Sequence, residues 1–414
     1  MADQLAEQNL QTVPPADGVS TSTAPAASLA PSRQAPNLRD LSMLATLALI
    51  WIFFAVREPL FLSSRNLSLL MIELSVTAIL ALGMLLVILP GHIDLSAGSG
   101  VGLFGGIAAV LISRPSMWLP GPLGHPWPAP LALAVVMVLG VAVWAGMGTL
   151  IIRQRIPAFI ITLGGLLVFK GLHWLVIQNQ TIPVGHDNLY AALTTFYLRP
   201  VLGLILAAFI VFALVYARLA ARGRRVKYGF AVDDREMTFL KLFIAAQVIF
   251  LLVLITNQYR GVPLPAIVLG ATALFVYVLT QHTPFGRYLY AIGGNEEAAV
   301  ISGVPVERVV IGAFALMGLI VAITGFMQTA YAGSSTSTVG ELMELDAIAA
   351  CVIGGTSLRG GRGSVLGVLF GALIMASLLN GMTLMAVSPE MKLIARGLVL
   401  ALAVWMDVRL SRRR

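Results

Sequence analysis

Long apolar runs separated by short polar intervals dominate the chain, and their length carries the first inference. Charge-free stretches run from Leu242 to Tyr259, Val309 to Gly340 and Ser364 to Pro389. About 20 helical residues are enough to cross the hydrocarbon of a bilayer. Placing spans on all such runs predicts segments 41–57, 69–90, 97–113, 131–152, 158–178, 200–217, 239–256, 264–281, 309–331, 342–356, 364–386 and 391–409. The expected fold is therefore all-α, a polytopic transmembrane helical bundle of about 10–12 spans. Segment 342–356 is short enough to be re-entrant, and Lys170 marks a place where the helix over 158–178 is expected to end or break.

Composition closes off the soluble alternatives. Hydrophobic residues make up 58% of the chain and charged residues 11%, against roughly 25% charged in an average soluble protein. The formal charge of +8 does not imply a nucleic-acid partner, because the basic residues sit at the ends of apolar runs. A cytoplasmic N-terminus puts Arg33, Arg39, Arg153, Arg155, Arg218, Arg222, Arg224, Arg225 and Lys227 on the inside, with the C-terminal Arg409, Arg412, Arg413 and Arg414. The opposite loops carry aromatic and proline residues, Trp118, Pro120, Pro122, Trp127 and Pro128 in one, and Tyr190, Phe196 and Tyr197 in another. This pattern predicts a multi-pass inner-membrane protein with both termini cytoplasmic. Residues 1–37, rich in Ala, Pro, Ser, Thr and Gln, read as a disordered cytoplasmic tail rather than a cleaved leader. Residues 38–414 form the membrane domain. The lone Cys351 is expected to be a small packing residue.

Three polar stretches interrupt the apolar pattern. In the first, Gly91-His92-Ile93-Asp94-Leu95-Ser96-Ala97-Gly98-Ser99-Gly100 follows Pro90. Polar groups at this depth need partners in protein or water. Asp94, Ser96 and Ser99 are candidates for lining a solute path, and Asp94 and Ser96 can instead cap the next helix. The run from Gly100 to Gly105 matches GxGxxG, but no strand precedes it, so Gly102 and Gly106 are read as a face for close helix packing. Gly363, Gly367 and Gly371 form a second such face. Gly91, Leu95, Gly98, Gly100 and Leu103 also match Gly354, Leu358, Gly361, Gly363 and Leu366 at one offset, an echo expected of chance or of two related halves.

The second stretch is the loop 282–308. Asn295 can cap a helix of about two turns, Glu296 and Glu297 suit its positive end, and Gly303 before Val304-Pro305 can close it. So short a helix needs a surface, either its own bundle or a partner protein. The third is Glu341, Glu344 and Asp346 at the mouth of 342–356, where carboxylates either anchor a helix end in water or meet a polar solute. There is no GxxxxGK[ST] loop and no HExxH, and the histidines are scattered at 92, 125, 173, 186 and 282. No covalent catalysis, metal or cofactor is expected of this chain. Any ATP hydrolysis belongs to a partner chain.

Taken together, Gly91 to Ser99, the run Ile156-Pro157-Ala158-Phe159-Ile160-Ile161-Thr162-Leu163-Gly164-Gly165, the stretch Gly286 to Gly303 and the run Glu344 to Leu358 resemble the permeases of bacterial ribose, xylose and multiple-sugar ABC importers. The likeness covers nearly everything from about residue 41 onward. The segments around 239–281 and Ala403-Val404-Trp405-Met406-Asp407 look most like the xylose-type members. His92 and Ala97 depart from the common pattern. The resemblance implies import of D-xylose or a related aldose, a second permease copy, a periplasmic sugar-binding protein and a cytoplasmic ATP-binding subunit. It also implies that ATPase coupling falls on Gly286, Arg287, Asn295, Glu296, Glu297, Ala298, Ala299 and Gly303. Two other readings compete: an ion-coupled secondary transporter using Glu73, Asp94 and Lys170 as a relay, and a membrane scaffold that moves no solute.

Overall fold

The computed structural model describes residues 38–113, 126–185, 189–230, 232 and 235–412. The tail 1–37 and Trp118, Pro120, Pro122, His125 and His186 lie outside the described residues. In chain order the helices are α1 (Leu38–Arg57), α2 (Ser64–Ile88), α3 (Ala97–Ser113), α4 (Ala129–Arg153), α5 (Ala158–Ile177), α6 (Leu189–Thr195), α7 (Pro200–Lys227), α8 (Arg235–Asn257), α9 (Leu264–His282), α10 (Pro284–Gly294), α11 (Glu296–Ile301), α12 (Val306–Ala332), α13 (Met343–Ile353), α14 (Val365–Leu384) and α15 (Pro389–Arg412). Four two-residue strands, β1 (Ile182–Pro183), β2 (Tyr197–Leu198), β3 (Val262–Pro263) and β4 (Ser334–Ser335), form two antiparallel ladders, β1 with β4 and β2 with β3.

The ends of these helices follow from local chemistry. Ser63 caps α2 and Ser364 caps α14, each accepting an amide of the first turn. Proline opens α4, α7, α9 and α10, where its missing N–H costs nothing. Eight of the described helices (α2, α4, α5, α7, α8, α9, α12 and α14) are long and apolar enough to cross a membrane. The apolar parts of α1 and α3 are shorter. The sequence of α15 mixes Glu390, Lys392 and Arg396 into its apolar run. The all-α, multi-pass expectation is met.

A buried core of α2, α3, α12 and α14 lies at the centre, with α4 packed along α12. The α7–α8 pair sits at the periphery, where most side chains are exposed to the surroundings. One end of the bundle is rich in arginine: Arg153, closing α4, pairs with Glu307 at the start of α12. The turn after α2, the loop 354–364 and helices α10 and α11 gather at that same end, because the amide of Gly361 donates to the Leu89 carbonyl and Tyr290 donates to that of Gly363. The two ladders lie at the opposite end.

Three expectations need correction. Helix α5 runs unbroken through Lys170, because the ammonium finds Glu341 rather than ending the helix. The loop 282–308 holds two helices rather than one, since Thr283 caps α10 just as Asn295 caps α11. Among the three carboxylates, only Glu341 is open to the surroundings, while Glu344 and Asp346 are buried between helices instead of anchoring an end in water.

Candidate functional site

Both oxygens of the Asp94 carboxylate are taken by donors. One carboxylate oxygen accepts from the Ser96 amide at 2.8 Å and the Ser96 hydroxyl at 2.6 Å, and the other accepts from the Trp144 indole at 2.6 Å. Thr162 of α5 donates to the adjacent Ile93 carbonyl. Asp94 and Ser96 are fully buried, so the pair fixes where α3 begins and ties it to α4 and α5. Ser99, in the first turn of α3, is placed differently and opens onto a cleft.

That cleft, of about 80 Å³, lies between α3, α5 and the run of turns at 336–342 that leads into α13. Its polar wall is Ser99, Lys170, His173, Ser337, Glu341 and Glu344. Lys170 Nζ lies 3.2 Å from Glu341 Oε1 and 5.7 Å from the Trp174 ring centre. Trp174 donates to the Ser337 carbonyl at 3.2 Å, and His173 Nε2 lies 3.2 Å from Ser335 Oγ. Glycine allows this approach. A side chain at Gly98 would strike Gly340 and Glu344, and one at Gly102 or Gly106 would strike the His173 ring. Gly340 and Leu342 adopt left-handed backbone, which turns the segment sharply into α13. In the second glycine set, Gly367 and Gly371 of α14 lie against the backbone of Gly354 and Ala350, whereas Gly363 precedes the helix and meets Leu85.

The third feature is a foot at the arginine-rich end. Gly286, Leu289, Ile292 and Ala299 are buried against the bundle. Gly293 lies directly on the Leu89 carbonyl and the backbone of Gly360 and Gly361. The Asn295 side chain accepts from the Ala298 amide at 2.9 Å, Glu296 and Glu297 stand in the first turn of α11, and Gly303 ends it in left-handed backbone. Arg287, Glu296, Glu297, Ala298, Val300 and Ile301 face outward, and Ile301 is 87% exposed. The foot thus has one edge sewn to the bundle and one free surface that mixes two carboxylates with two bare aliphatic side chains. His92, in the turn beneath it and outside α2 and α3, has its imidazole pushed below the usual histidine range by burial, with Glu296 opposing that shift.

Residues 66–404 match the family described as branched-chain amino acid transport system / permease component. The chain belongs to that family. Among its relatives, the xylose transport system permease protein XylH of Escherichia coli K12 is 40% identical over 378 residues, which cover 91% of this permease and 93% of XylH. The XylH of Haemophilus influenzae is 38% identical over 90% of this permease and 96% of its own length. The ribose import permease protein RbsC of Escherichia coli K12 is 32% identical over 89% and 94%. No solved structure matches this permease. Within the permease, sequence reasoning singled out Lys170 as a helix break and as a member of a proton relay, and gave no role to His173, Trp174 and Ser337. The signal was present, because residues 170, 173 and 174 share one face of α5.

Proposed function

We propose that this permease is the membrane-spanning subunit of an ATP-driven importer of a monosaccharide, D-xylose or a related aldose. In this reading the arginine-rich end is cytoplasmic, as a basic excess on inner loops predicts. The supporting observation is the likeness to XylH along nearly the whole chain, higher than that to RbsC. A periplasmic binding protein delivers the sugar at the opposite end, and a second copy of the permease completes the passage. A cytoplasmic ATP-binding subunit grips the foot at Arg287, Asn295, Glu296, Glu297 and Ala298. Gly286, Ala299 and Gly303 set the foot's inner packing and its end, so force applied at α11 passes through Gly293 to the turn after α2 and to the loop 354–364.

The competing ion-coupled reading needs a proton relay within the membrane. Glu73, Asp94 and Lys170 do not form one. Glu73 is held by Tyr331 and Asn380, Asp94 by Ser96 and Trp144, and Lys170 by Glu341, with no partner in common. The test is reconstitution with the cognate ATP-binding subunit and binding protein, followed by uptake of labelled xylose, arabinose, glucose, galactose and ribose, with leucine as an amino-acid control. ATP-dependent xylose uptake supports the reading. Preferred uptake of leucine, or sugar uptake that survives ATP depletion but collapses with the proton gradient, overturns it.

A further inference from the structure

The cleft between α3, α5 and segment 336–342 plays no part in the coupling just described, and its chemistry is specific. The Lys170–Glu341 pair is about half open, with side chains 39% and 48% exposed. Neighbouring α5 side chains such as Leu167 and Val168 are exposed apolar groups. A charged pair facing lipid at this depth is costly, so its open side faces water or a polar solute. The cleft, of about 80 Å³, is smaller than the roughly 300–1,000 Å³ of an enclosing small-molecule site, so a passing ring is held along one edge rather than enclosed. Its wall offers an ammonium donor, carboxylate acceptors, two serine hydroxyls and an imidazole. Next to them stands the Trp174 face, which is 42% exposed and fixed in place by its bond to the Ser337 carbonyl.

We propose that this cleft is a sugar-contact subsite of the permease itself. A small neutral polyhydroxylated ring passes through it, Lys170 and Glu341 bond neighbouring hydroxyls, Ser99 and Ser337 supply further partners, and Trp174 covers the apolar C–H face of the ring. The pair does two jobs. Unoccupied, the two charges satisfy each other, and a sugar that inserts between them exchanges one charge-assisted bond for two to its hydroxyls. A solute lacking neighbouring hydroxyls cannot repay that opening, so the cleft filters solutes after their release from the binding protein. The inference rests on the importer reading and adds where selectivity is exercised.

The test uses the complete importer in sealed vesicles, with wild type, Glu341→Gln, Lys170→Met and the milder Ser99→Ala. Initial uptake of xylose, ribose and glucose is read beside the ATPase stimulation produced by loaded binding protein. A second arm places a cysteine by Ser337→Cys in a background whose own Cys351 is buried, and follows alkylation with and without free xylose. Glu341→Gln and Lys170→Met are expected to lower sugar uptake per ATP by about tenfold, the loss of a charge-assisted bond, with the ratio of xylose to ribose uptake altered and ATPase stimulation retained. Ser99→Ala should shift the ratio in the same direction, and xylose should slow alkylation several-fold. Unchanged rates and ratios in all three variants, or alkylation indifferent to sugar, overturn the subsite while leaving the importer intact. Absence of ATP-driven sugar uptake in wild type overturns both.

Discussion

Trp144 of α4 donates its indole N–H to Asp94 at 2.6 Å, across the joint where α3 begins. Phe104 and Phe169 lie tilted against that indole, with ring centres 5.6 and 5.0 Å away. An ionisable group so deep in an apolar bundle is tolerated because both its oxygens are occupied. The consequence is mechanical, since Ser99 stands in the first turn of α3 and its position in the cleft depends on the Asp94 joint.

Replacing Asp94 with Ala should therefore destabilise the protein by about 3 kcal/mol, the cost of leaving the buried Ser96 and Trp144 donors without an acceptor. Trp144→Phe keeps the ring packing, loses one donor and should cost about 1–2 kcal/mol. Thermal unfolding in detergent checks both, and Asp94→Ala melting no lower than Trp144→Phe would contradict the assignment.

Asp346 of α13 and Arg396 of α15 lie 3.5 Å apart, with the aspartate side chain nearly enclosed. Removing the cation by Arg396→Met strands that carboxylate and should cost about 3–5 kcal/mol. The double variant with Asp346→Leu should recover most of the loss, because an apolar pair has no charge to desolvate. The measurement is a double-mutant cycle on melting temperature.

Close backbone contacts predict a different kind of sensitivity. A side chain at Gly293 would enter the Leu89 carbonyl and the Gly361 amide. Gly293→Val should separate the foot from the bundle, so that the protein inserts normally while ATPase activity no longer drives uptake. Gly270, which has nothing within 4 Å of the corresponding position, should tolerate Val with uptake unchanged. Equal uptake in the two variants would contradict the foot's rigid attachment.

A pH effect follows from His92. Its folded-state pKa is lowered, mainly by burial, so the folded protein binds this proton less readily than the unfolded chain does. The stabilising difference is present above the unfolded value of about 6.5 and is lost as pH falls below it. Wild type should lose more stability than His92→Gln between pH 7 and pH 5. Parallel curves for the two would contradict the assignment.

Most of the architecture was legible because membrane helices are written in length and apolarity. The run 97–113 was read to the residue, and α5 and α9 within one residue at either end. What stayed hidden depends on tertiary contact. Lys170 looked like a break because its partner, Glu341, is 171 residues away. Asp346 looked solvent-bound because nothing in the local sequence announces Arg396. Thr283 as a second helix cap was readable from Thr-Pro alone and was overlooked beside the stronger Asn295-Glu-Glu signal.

In the proposed importer energy enters through α11, and the ratio of sugar moved to ATP hydrolysed is the quantity that reads this coupling. Glu296 and Glu297 are both exposed in the first turn of α11, so changing both to Lys leaves the bundle's packing alone while inverting the charge of the free surface. In reconstituted vesicles the double variant should assemble in the membrane yet move little or no sugar per ATP, with uptake falling far more than insertion or thermal stability. A correctly inserted double variant that imports sugar at the wild-type ratio would contradict the account.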